Sequence, residues 1–165
     1  MRLDVLSSAC VMALAAAVQV APASAAEGST IARAISICTQ ATRHTLDRVA
    51  AGEGASSGPN PYASVYPGEG FPPTAWTWSE APEVAVFFRK GACNVVVRQQ
   101  DPHAAETAAV EALFATKNFV ELKEPKPKVG REFWGLKPPM VVSVIRTESS
   151  LGRELLITFK RINKG

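Results

Sequence analysis

The chain has 165 residues, 47% of them hydrophobic and 20% charged, and 18 Lys and Arg against 15 Asp and Glu give a formal charge of +3. That is enough apolar mass for one domain with a real core, and too much for a disordered chain. The 11 Gly and 12 Pro keep no fixed period, which excludes collagen and a repeat array.

Residues 1–25 read as a cleaved secretory signal peptide. Arg2 and the amino terminus supply a weak positive end, an apolar stretch runs from Val11 to Val20, and Pro22 precedes Ala23-Ser24-Ala25. This order matches an A-x-A cleavage site after Ala25. The apolar run is shorter than the about 20 residues a spanning helix needs. An uncleaved, membrane-anchored N-terminus is the competing reading. A lipid-modified Cys10 fits less well, because Ser7 stands where such signals carry Leu and most of the apolar run follows Cys10. The expected product is residues 26–165, a single α+β domain in the bacterial periplasm or secreted, with no transmembrane segment.

Export changes the meaning of the remaining cysteines, Cys38 and Cys93. An oxidising compartment and an even count predict a bridge between them. No close C-x-x-C pair is present, so the bridge reads as a staple and not as redox chemistry.

Along the mature chain, Ser29 or Thr30 caps a predicted helix that runs to about Ala50. Ile31, Ile35, Cys38, Thr42, Leu46 and Val49 form its apolar stripe. Residues 52–73 are dominated by Gly, Pro and Ser, and are expected to form an irregular loop, mobile or functional, carrying Tyr62, Tyr66 and Phe71. Strand signals follow at 75–78, 84–88 and 93–97, the last two flanking a hairpin turn. Cys93, Val95 and Val97 share one face, the face a disulfide-linked helix would cover. Asp101-Pro102 opens a second helix to about Thr116, with Ala109, Val110, Leu113 and Phe114 inward. Short strands are expected at 119–122 and 133–136, separated by a stiff exposed linker, Glu124–Lys128. Two longer strands, 140–147 and 154–161, close the chain; Glu154, Thr158 and Lys160 alternate with Leu155, Ile157 and Phe159, which predicts a wet face. The order, a helix, two or three strands, a helix and then two to four strands (α-β-β-β-α-β-β-β), implies an antiparallel sheet with two helices on one face. In element order the chain resembles profilin-like and secretion-chaperone-like domains, a likeness of layout that carries no functional residue.

Chemistry is sparse. Only His44 and His103 are available to a hydrolytic triad, and there is no G-x-S-x-G elbow. No zinc-type ligand spacing occurs, so no metal and no cofactor is expected. Asp101, His103 and Glu106 form the best small cluster, at the start of the second helix, where a helix N-terminus favours anions and His exchanges protons near neutrality. The structural reading is that Asp101 caps the helix, Glu106 complements its dipole and His103 is solvated. His44 reads as a surface residue beside Asp47 and Arg48.

Charge is uneven: residues 26–116 carry 6 basic and 9 acidic groups, and residues 117–165 carry 11 and 5. Lys117, Lys123, Lys126, Lys128, Arg131 and Lys137 concentrate the positive charge, interleaved with Phe119, Phe133 and Trp134. Lys126, Lys128 and Arg131 are the expected contacts to an anionic envelope surface; export argues against nucleic acid. Trp76 and Trp78 share a strand face and make either core or, with Tyr62 and Tyr66, a binding platform. The leading expectation is a non-enzymatic binding or interaction module of the cell envelope, with an envelope protein or anionic surface as partner. The alternative is a small hydrolase or lyase using His103 with Glu106.

Overall fold

Residues 23–98, 101–123 and 130–162 are described by a computed structural model of the chain. Residues 1–22, most of the expected signal peptide, and the expected linker Glu124–Lys128 lie outside the described residues.

Helix α1 spans Ala23–Gln40, and the expected cleavage point after Ala25 falls within it. Ser29 and Thr30, expected as caps, are therefore helical. The helix also stops early. Residues 41–45 form a corner, and α2 covers Leu46–Gly52. The cause is a long-range cap: Arg161 donates to the carbonyl oxygens of Thr39, Gln40 and Ala41 at 3.1, 3.0 and 3.1 Å. A cation there satisfies the orphan carbonyls and complements the negative helix end. Thr42, expected on the apolar stripe, is exposed at this corner, where its N–H donates to Thr45 Oγ1 at 2.8 Å.

The expected irregular loop holds two short elements, and residues 66–73 are irregular as expected. It contains strand β1 (Ser56–Pro59) and a short helix α3 (Pro61–Val65). Asn60 caps α3, accepting from the Tyr62 N–H at 3.1 Å, with Pro61 at the first helical position. Gly and Pro masked both elements, because neither is long enough to show a period.

The remaining strands are β2 (Thr74–Trp78), β3 (Ala81–Arg89), β4 (Ala92–Arg98), β5 (Phe119–Glu121), β6 (Arg131–Leu136), β7 (Pro139–Ser149) and β8 (Gly152–Arg161), with helix α4 (Pro102–Ala115) between β4 and β5. All eight strands pair antiparallel in the order β1-β2-β3-β4-β8-β7-β6-β5. The β3–β4 turn places Lys90 at φ 50° and Gly91 at φ 77°, the pair of positive values that a two-residue turn matched to strand twist requires.

α1 and α4 cover one face of the sheet. Beneath them lie Val84 and Val86 of β3, Val95 and Val97 of β4, Leu155, Ile157 and Phe159 of β8, and Phe133 of β6, all buried. Burying aliphatic and aromatic groups of this size stabilises by roughly 1.5–3 kcal/mol each. Cys38 of α1 is bridged to Cys93 of β4, with Cα atoms 5.4 Å apart, so the staple ties helix to sheet as the shared face of Cys93, Val95 and Val97 implied. Phe114, expected inward on α4, is 45% exposed and meets Phe133 only edge-on.

The second face is only half open. The segment 59–73 crosses it, and Tyr62, Phe71 and Tyr66 pack against Ala85, Phe87 and Val96 to form a smaller core. Glu154, expected on a wet face, lies under this cover and is 3% exposed.

Candidate functional site

The covering segment leaves a recess of about 240 Å³ between α3, the residues after it and the β7–β8 turn. Its walls are aromatic. Tyr62 stacks on Phe71 with ring centroids 5.6 Å apart, Tyr66 lies 5.9 Å from Phe71, and Phe87 meets Phe71 edge-on at 5.8 Å. Asn94, Val96 and Leu156 also line it. These side chains come from alternate positions of β3, β4 and β8, so the pleat alone aims them at the covered face.

Of the four charged residues that line the recess, Glu154 and Arg89 lie deepest, on strands of the sheet beneath it. Glu154 Oε1 accepts from Tyr62 Oη at 2.6 Å and from Ser149 Oγ at 2.8 Å. A buried carboxylate requires such donors. Burial first, and the neighbouring Glu154 carboxylate second, raise the Tyr62 phenol well above the ordinary tyrosine range. Arg89 lies with its guanidinium 3.7 Å over the Phe71 ring and donates to the Glu69 carbonyl at 2.9 Å and carboxylate at 3.2 Å. At the rim, Tyr66 Oη accepts from the Ser150 N–H at 3.0 Å. Hydrogen bonding to Ser150 lowers the Tyr66 phenol below its usual range.

Phe71 and Arg89 also wall a second, larger opening of about 440 Å³, which Trp76, Phe88, Arg43 and Asp47 complete. Trp76 is half-buried there. Trp78 is not a platform residue: it is 1% exposed, its Nε1 donates to the Glu53 carbonyl at 3.0 Å, and Arg33 lies 5.3 Å from its ring. These polar partners come from α1 and from the residue after α2. Trp78 therefore lies on the helix-covered face, opposite Tyr62 and Tyr66, and the four residues make no common platform. A bulge between Thr77 and Trp78 separates the two indoles in register.

At the start of α4, Asp101 and His103 line an opening of about 550 Å³ with Arg146, Glu148 and Arg153. Asp101 Oδ1 accepts from the His103 N–H at 2.9 Å, as an N-cap does. Glu106 turns to β7, where its Oε2 lies 3.0 Å from Arg146 Nε. His103 is exposed, and no hydrogen bond joins it to Glu106 among the described residues. His44 is exposed as well. No group of three or more His, Cys, Asp or Glu suited to a metal is found among the described residues.

The basic segment is also redistributed. Arg131 is not free for an anionic surface: it holds Glu121 through two hydrogen bonds of 2.7 and 2.8 Å, and lies 5.7 Å from the Phe133 ring. That pairing keeps the Glu121 carboxyl below the usual range. Phe119 and Phe133 are buried on the helix-covered face, and Lys126 and Lys128 lie outside the described residues. Sequence reasoning missed Arg89, Asn94 and Glu154 as partners. An ionisable residue among strand alternants looks the same whether water or a folded-back segment covers it.

No helix among the described residues is long and apolar enough to cross a membrane. No protein-family model, curated protein or solved structure matches the chain.

Proposed function

We propose that the chain is an exported, disulfide-stapled binding module of the bacterial cell envelope, and that its working surface is the aromatic recess over β3, β4 and β8. The observation that carries this reading is the segment 59–73. It contributes Tyr62, Tyr66 and Phe71 to one face of the sheet and leaves beside them an opening lined by Asn94, Glu154 and Arg89. Concave aromatic surfaces with a few fixed polar groups are the usual form of a binding site. The Cys38–Cys93 bridge supports an oxidising compartment. The opening has the size of one or two side chains, so the expected occupant is a protruding part of an envelope protein.

The test is site-directed photocrosslinking in the native host. A benzophenone amino acid is placed at Glu148, an exposed lining residue of the recess, and at Ala51, exposed on α2. The expected result is a discrete adduct from position 148, absent from position 51 and weakened by Tyr66→Ala, with the chain in the periplasmic fraction. Recovery of the chain from the cytosol, or no adduct at 148 beyond that at 51, overturns the reading.

A further inference from the structure

The uncovered half of the second sheet face is unlike the covered half. Val120 of β5 pairs with Trp134 of β6, Trp134 with Val141 of β7, and Val141 with Lys160 of β8. Directly opposed residues share a side, so these four form one cross-strand row on the face away from α1 and α4. Leu136, two residues beyond Trp134, and Ile162, two beyond Lys160, extend the row at one end of the sheet. Val120 is 55% exposed, Leu136 52% and Ile162 40%, three of the five large exposed hydrophobics among the described residues.

Three lysines border this patch. Lys160 ends the row, and Lys137 follows Leu136. Lys117 is brought alongside by its neighbour Asn118, which accepts from the Lys137 N–H at 2.9 Å and donates to the Lys137 carbonyl at 3.0 Å. All three lysines are exposed. The acid on the same face, Glu132, lies two residues back along β6, beside Ser143.

We propose that this corner of the sheet docks peripherally on an anionic lipid bilayer. Aliphatic side chains would enter the acyl boundary, the Trp134 indole would sit at the headgroup level, and the three lysines would meet anionic headgroups. Indole prefers the membrane interface, and lysine extends its charge to the headgroups while its stem stays apolar. Charge complementarity selects anionic over zwitterionic lipid, and a surface poor in directional hydrogen-bonding groups suits lipid better than an acidic protein. The proposal uses none of the recess residues and stands or falls separately from the function proposed above. Lys126, Lys128 and Arg131 have no part in it.

The test is co-sedimentation of the natively purified protein with two kinds of vesicle. One kind is phosphatidylcholine alone, and the other is equal parts phosphatidylglycerol and phosphatidylcholine. Binding is expected to the anionic vesicles at low salt, to fall at high salt, and to be absent on phosphatidylcholine. Combining Lys117→Gln, Lys137→Gln and Lys160→Gln should weaken it about a hundredfold, at about fivefold per lysine. Val120→Ser with Leu136→Ser should also weaken it while leaving the far-UV circular dichroism unchanged. No binding to the anionic vesicles overturns the proposal and leaves an acidic protein as the partner. Equal binding to both vesicles, or binding that the lysine variant retains, also overturns it.

Discussion

Replacing Tyr62 by Phe removes one oxygen and leaves the ring stacked on Phe71. The oxygen donates to a carboxylate that is 3% exposed, over 2.6 Å. Hydrogen bonds to charged groups contribute about 1.5–3 kcal/mol, and a buried carboxylate that loses a donor keeps its desolvation penalty. Ser149 still donates to the same oxygen, so the expected loss is about 2 kcal/mol. For a domain of this size that is a fall in Tm of roughly 5–10 °C. Urea unfolding followed by circular dichroism measures it, with the slope unchanged if only stability has moved. A double-mutant cycle with Glu154→Gln isolates the pair, and a coupling of about 1 kcal/mol or more is expected.

The pH dependence gives a second reading of the same contact. Because burial and Glu154 raise the folded-state phenol pKa, the folded protein holds this proton longer than the unfolded chain. The stabilisation is complete below the unfolded tyrosine value of about 10 and is lost as pH rises from there towards the folded value. Tyr62→Phe should flatten that alkaline limb. The chain has two tyrosines, so alkaline difference spectroscopy should resolve Tyr66 titrating first and Tyr62 only as the protein unfolds. A stability loss below about 0.5 kcal/mol, additive losses in the cycle, or both tyrosines titrating together would refute the reasoning.

Other perturbations follow from the same geometry. Reducing the disulfide, or replacing both cysteines by Ala, should cost about 4 kcal/mol in the chain-entropy treatment, since the bridge spans 55 positions; chemical denaturation with and without reductant reads this out. In Gly135→Ala the new Cβ would lie 2.6 Å from Met140 Cγ and 2.8 Å from the Phe119 ring, so a loss of roughly 1–3 kcal/mol is expected in thermal unfolding. Glu27→Gln should raise stability at neutral pH. Burial and the nearby Glu83 raise the Glu27 carboxyl, so its ionised form is the disfavoured one, and the gain should vanish as pH falls through the carboxylate range.

Most of the framework was legible because local physics wrote it. Short apolar runs at 84–88 and 93–97, flanking a turn, marked β3 and β4. Asp101-Pro102 marked the start of α4, and the inward register of Cys93 was enough to place the bridge under α1. The candidate recess was legible only in part: Tyr62, Tyr66 and Phe71 stood out as aromatics in a Gly/Pro segment, but their partners did not. Glu154 sits among strand alternants that read as solvent-facing, and Arg89 reads as part of a hairpin turn. Each acquires its role from a contact with a residue far away in the chain.

The division has a physical basis. Periodicity, caps and turn residues act within a few positions, so the sequence alone determined an antiparallel sheet, two helices on one face and a disulfide between the layers. Contacts across long loops have no local signature. Only the tertiary structure decided that α1 ends at Gln40, because its C-terminal carbonyls are satisfied by Arg161, more than a hundred residues away. It likewise decided that the segment after β1 lies down on the second sheet face, because Tyr62 finds Glu154 across 92 positions and three aromatic rings find Phe87 and Val96 beneath them.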